Sequence, residues 1–121
     1  VGAQKQQMAA AADEGAKTYS LDELMSRGEK VYAANCVACH QANGKGLPPA
    51  FPALEGSKLA KGPKAAHIAI VLHGKPNTAM AAYGGQLGDG DIAAVVTYER
   101  NAWGNNTGDL VQPAEIRAAR K

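Results

Sequence analysis

Cys36-Val37-Ala38-Cys39-His40 decides how the rest of this 121-residue chain is read. These are the chain's 2 cysteines, and a disulfide between them would close too small a loop to add much stability. Two thiols three positions apart on a helix end can reach the two vinyl groups of one porphyrin. The residue that follows is then held under the iron, so the C-x-x-C-H spacing reads as a haem attachment sequence with His40 as an axial ligand. Two other readings of the pair stand beside this one. A thioredoxin-like redox site needs a strand-helix-strand setting. A zinc site needs more ligands, and His67 or His73 would have to supply them.

Working outward from this stretch, the upstream residues read as a helix. Ser20 followed by Glu23 is a capping-box pair that satisfies free N–H groups at a helix start. Leu21, Leu24, Met25, Gly28, Val31, Tyr32 and Asn35 then recur at three- and four-residue spacing, one face of a helix that runs into Cys36. Downstream, 43–57 reads as loop, broken by Gly44, Gly46, Pro48, Pro49, Pro52 and Gly56. A second helix is expected from Pro63 to Gly74, and another loop over 74–90. A further helix is expected from Asp89 or Asp91, carrying Ile92, Val95, Val96 and Tyr98 and ending near Trp103-Gly104. No segment alternates for long like a half-buried strand, so an all-α domain is expected. The organisation is read as a linker or tail over 1–18, a domain over 19–104, and a polar tail over 105–121 in which Pro113 to Lys121 can form a short helix.

An electron carrier needs a second axial ligand. Of the 3 methionines, Met8 falls in the first tail and Met25 on the apolar face of the first helix. Met80 lies in a loop rich in Gly, Pro and Asn, where a side chain can reach a metal without distorting a helix. Its thioether would favour Fe(II) and raise the potential. His67 and His73 are rivals placed on a helix.

Composition agrees with a buried cofactor. With 1 Phe and 1 Trp, the chain is poor in the large side chains that build a core, and a haem would supply apolar surface. No apolar run is long enough to span a membrane. No secretory signal is visible, and a start at Val1 reads as a mature protein or an excised domain. The charge is unevenly placed: Lys45, Lys58, Lys61, Lys64 and Lys75 face a single acid, Glu55, within 43–88, while net charge over the whole chain is +2. That is too sparse for nucleic acid binding.

In order and separation, Gly28, Tyr32, Cys36, Cys39, His40, Pro52, Leu54, Met80, Leu87 and Tyr98 resemble class I cytochromes c. The resemblance covers about 20–104. It implies first and last helices crossing closely around one covalent haem c and its iron, with Gly28, Tyr32, Val95 and Tyr98 at the crossing. It also implies that the carbonyl of Pro52, with Pro48 and Pro49 as nearby alternatives, accepts a hydrogen bond from His40, that Leu54 packs on the haem, and that Tyr83 lies near its exposed edge. Trp103 has no matching role. A narrower likeness joins residues 44–54 and 96–105 to the C-terminal haem-c domain of caa-type cytochrome c oxidase subunit II. The Ala-rich start would then be the linker from a copper domain.

The function implied is electron transfer by His/Met-ligated iron, from a cytochrome donor to the copper centre of a terminal oxidase. No catalytic residue of its own is expected. The domain would face the periplasm, attached to an inner-membrane oxidase. The alternatives are a free periplasmic cytochrome serving another redox enzyme, and a haem sensor with an open site. Lysines of 43–88 would surround the haem edge and steer an acidic partner.

Overall fold

The computed structural model of the chain describes residues 18–46, 53–74 and 82–120. Among them the secondary structure is entirely helical. Helix α1 spans Leu21–Asn35, α2 Val37–His40, α3 Lys58–Lys61, α4 Lys64–His73, α5 Asp89–Asn101 and α6 Pro113–Ala119, with a 3-10 turn at Ala102–Gly104. The expected all-α fold, with the first long helix crossing a late one, is what the chain adopts.

Helix α1 begins with the Ser20/Glu23 capping box closed in both directions. The hydrogen bonds from Ser20 hold the Glu23 carboxyl below its ordinary pKa. Its buried residues, Leu24, Gly28 and Tyr32, form one stripe at four-residue spacing. Helix α4 sits between Pro63 and Gly74, the two residues expected to bound it. Helix α5 starts at Asp89; the carboxylates of Asp89 and Asp91 in its first turn suit the positive end of the helix dipole. Asp91 also holds Arg27 of α1 at 2.8 Å.

The most extensive contact in the molecule is α1 against α5. A Cβ on Gly28 would lie 2.2 Å from the Ala94 carbonyl oxygen and 2.6 Å from Tyr98 Cβ. Glycine is therefore what lets the backbones meet, and the residues a side chain there would strike are Ala94 and Tyr98; Val95 is buried in the same core cluster as Leu24, Tyr32 and Ala94. Beside the crossing, the Tyr32 ring lies 5.5 Å from Tyr98 and 5.1 Å from Trp103, and Tyr98 meets Trp103 edge-on at 5.5 Å. Such ring pairs contribute about 0.5–1.5 kcal/mol each beyond the area they bury.

The chain beyond Gly104 differs from the expected tail. Val111, Pro113 and Ile116 are fully buried. Gln112 exchanges two hydrogen bonds with the backbone of Tyr19, joining this segment to the start of α1. Arg120 reaches Asp89, the Gly84 carbonyl and the Leu87 carbonyl. Three apolar residues spread through a polar stretch were enough to dock it on α4 and α5, although the stretch has no periodic apolar face. The short helix expected within it forms as α6.

Candidate functional site

Cys36 stands where α1 ends. Its amide donates to the Tyr32 carbonyl at 2.8 Å, and its φ/ψ of −118°/−23° lets the chain bend into α2. His40 then donates its amide to Cys36 O at 2.9 Å. Cys36 and Cys39 are thus carried at the start and end of one helical turn with His40 directly after, the arrangement the motif needs. Cys36, Val37 and Tyr83 pack against the apolar core.

The backbone after His40 is tied down from several directions. Gln41 takes a positive φ of 66° and ends α2. Its carbonyl accepts the Tyr32 hydroxyl at 2.6 Å. The Ala42 carbonyl accepts Trp103 Nε1–H at 2.8 Å. Gly46 N–H returns to the His40 carbonyl at 2.9 Å. Burial, aided by the negative charge of Glu99, pushes the Tyr32 phenol well above its ordinary pKa, so it remains a hydrogen-bond donor throughout the neutral range. Burial and then Glu29 raise Tyr98 as well.

Two expected haem neighbours are attached to this same turn. Leu54, 7% exposed, donates its amide to the Gly44 carbonyl at 2.6 Å. Tyr83 donates its hydroxyl to the carbonyl of Asn35, the residue before Cys36, at 3.0 Å. Met80 and Pro52 lie outside the described residues, as do Pro48, Pro49, Met8 and Lys75.

The rival histidines are placed by the fold. His67 is 1% exposed, with Nε2 2.7 Å from Glu99 Oε1; it is a packed core residue. His73, the last residue of α4, is exposed. Among the described residues no three His, Cys, Asp or Glu side chains converge where they could hold a metal ion. The donor set therefore suits a porphyrin iron gripped by one imidazole better than a zinc ion caged by protein alone. A short helical turn whose backbone carries both cysteine positions fits its tethering, and the buried Leu54 and half-buried Tyr83 fit its apolar faces.

Sequence reasoning missed Trp103, whose indole sits against Gly44: a Cβ there would lie 2.5 Å from the ring. Its only forewarning was the Trp-Gly pair at the end of the predicted helix. Among the described residues no helix is long and apolar enough to cross a membrane.

Residues 23–98 match the protein family described as "Cytochrome C oxidase, cbb3-type, subunit III". The chain is 40% identical over 92 residues to cytochrome c-552 of Thermus thermophilus, an overlap of 64% of this chain and 69% of that protein. It is 31% identical over 74 residues to cytochrome c6 of Bumilleriopsis filiformis, covering 61% of this chain and 86% of the relative. It is 30% identical over 103 residues to the cytochrome c subunit of the quinone alcohol dehydrogenase of Gluconobacter oxydans, covering 77% of this chain but 22% of that larger subunit.

Proposed function

The chain belongs to the cytochrome c family, carries one covalent haem c with its iron and serves in electron transfer, and from that premise we propose which residues hold the haem and where the electrons go. Cys36 and Cys39 form the thioether links. His40 and Met80 would ligate the iron. The electron passes from a cytochrome donor through this domain to the copper centre of a terminal oxidase. The single observation behind the haem assignment is the Cys36–His40 turn itself, bent out of α1 and fixed by backbone hydrogen bonds on both sides.

When bound, the haem supplies a one-electron Fe(II)/Fe(III) couple. The protein's part is to keep the surroundings of that couple still. Cys36 and Cys39 anchor it, so that a domain of this size can hold it at its edge. His40 is restrained because its own carbonyl and the next two are each engaged by a donor. Pro52 would orient the His40 ring through its carbonyl, Leu54 would keep water from a bound haem, and Tyr83 would lie near its edge.

The oxidase as recipient is supported by the description of the matched family and by the likeness of 44–54 and 96–105 to an oxidase haem-c domain. In this reading the domain works outside the cytoplasm, tethered to the membrane complex. A second reading, in which it receives electrons from a dehydrogenase, is favoured by the 77% of the chain that aligns with the Gluconobacter alcohol dehydrogenase subunit. Rapid mixing of the reduced, haem-loaded protein with a purified oxidase and, separately, of the oxidised protein with a reduced quinone dehydrogenase distinguishes them. Fast oxidation by the oxidase is expected on the first reading; reduction by the dehydrogenase alone would overturn it. Lys45, Lys58 and Lys61 are exposed, and the faster of the two reactions should slow as salt rises.

A further inference from the structure

We propose that Trp103 is a positioning residue for the histidine turn, acting through the backbone of 41–46. Trp103 lies in the 3-10 turn after α5 with φ 54° and ψ 27°. That left-handed backbone is disfavoured for a bulky residue, and it persists only where surrounding contacts impose it. Three contacts do so here. The indole ring closes the aromatic trio with Tyr32 and Tyr98. It covers Gly44, where no side chain would fit. Its Nε1–H reaches across 61 positions to the Ala42 carbonyl at 2.8 Å.

The ring therefore presses on a loop whose other end is His40. The loop is short: Gly46 N–H closes it on the His40 carbonyl, and Tyr32 O–H fixes Gln41 from the same aromatic trio. Gly44 in turn accepts the amides of Leu54 and Glu55. Through Ala42 and Gly44 one side chain thus connects the α1–α5 crossing to the residue expected to hold iron and to the residue expected to cover the haem. Released from Trp103, the loop can shift, and the His40 ring with it.

This inference rests on His40 being the proximal ligand. Its test uses the haem-loaded protein and two variants. Trp103→Phe keeps a ring against Tyr32, Tyr98 and Gly44 and removes only the N–H. Trp103→Ala removes both. In the Phe variant, amide exchange at Gly44 and Gly46 should quicken about tenfold, the loss of one hydrogen bond. The hyperfine-shifted NMR resonances of the His40 ring in the oxidised protein and the reduction potential should move with it, while the melting temperature changes little. A purely structural Trp103 would lower the melting temperature in the Ala variant and leave resonances and potential unmoved in both. A Phe variant matching the wild type in exchange, resonances and potential overturns the proposal. If the oxidised wild-type protein itself shows no hyperfine-shifted His40 ring resonances, the ligand assignment has failed instead, and loop exchange still reports whether Trp103 holds 41–46.

Discussion

The two sides of α5 are joined to the rest of the protein by different means. Toward α1 the buried contact is backbone and ring: Gly28 on the Ala94 carbonyl, then Tyr32, Tyr98 and Trp103 in mutual contact. Toward α3, α4 and the C-terminal segment, buried polar side chains join the apolar contacts of Val111, Pro113 and Ile116. His67 meets Glu99, Arg100 holds both the Gly62 carbonyl and Asp109, and Asn105 bridges the carbonyls of Leu54 and Glu99. The first side is intolerant of added volume. The second requires that every partner be present, because a buried polar group without one costs more than the bond itself is worth.

The largest effect is expected where volume is added to the first side. In Gly28→Ala, the new Cβ would meet backbone at 2.2 Å, so the helices must part. A loss of about 3 kcal/mol is expected in denaturant unfolding of the haem-loaded protein. A loss near zero would mean that the crossing is looser than described. On the second side, Glu99→Ala strands His67 in the core. His67 Nδ1 and Arg100 Nε and Nη1 are already buried without a partner among the described residues, so little slack remains. The expected loss is about 2 kcal/mol, and replacing both members with apolar residues, as in His67→Leu with Glu99→Met, should recover most of it. Failure of the double variant to recover would blur the contrast between the two sides.

Arg120→Ala is expected to cost less, about 1 kcal/mol, since that side chain is partly exposed although it makes three hydrogen bonds. Its mark should be local: faster amide exchange across α6 and at Gly84, with α1 unaffected. The mildest probe is pH. The Tyr32 and Tyr98 phenols are raised in the folded protein, so the unfolded chain gives up these protons first. Their contribution is complete below about pH 10, the ordinary tyrosine value, and declines as pH rises above it. Tyr32→Phe should flatten that decline in alkaline unfolding curves; an unchanged slope would show that the crossing does not shield the ring.

The same division explains what could be read in advance. The first side announces itself in sequence because its parts are local and periodic: a capping box at Ser20 and a four-residue stripe through Gly28 and Tyr32. The turn at Cys36 is equally visible, since its chemistry fixes the spacing. The second side does not announce itself. Val111, Pro113 and Ile116 form no repeat, and the value of Asn105, Asp109 and Arg120 comes from partners elsewhere in the chain. Trp103 escaped for a similar reason: its partner Ala42 is distant in sequence, and its left-handed backbone is imposed by packing. The single turn of α3, capped by the Ser57 hydroxyl, is too short for periodicity to reveal.

The proposed site has one haem covalently bound at the Cys36–His40 turn. Mass measurement of the denatured, natively matured protein after extraction with acidified acetone, followed by peptide mapping, tests this. The expected result is the polypeptide plus one retained haem, carried by the peptide that contains Cys36 and Cys39. A polypeptide stripped of its pigment, or a haem found on another peptide, would contradict it.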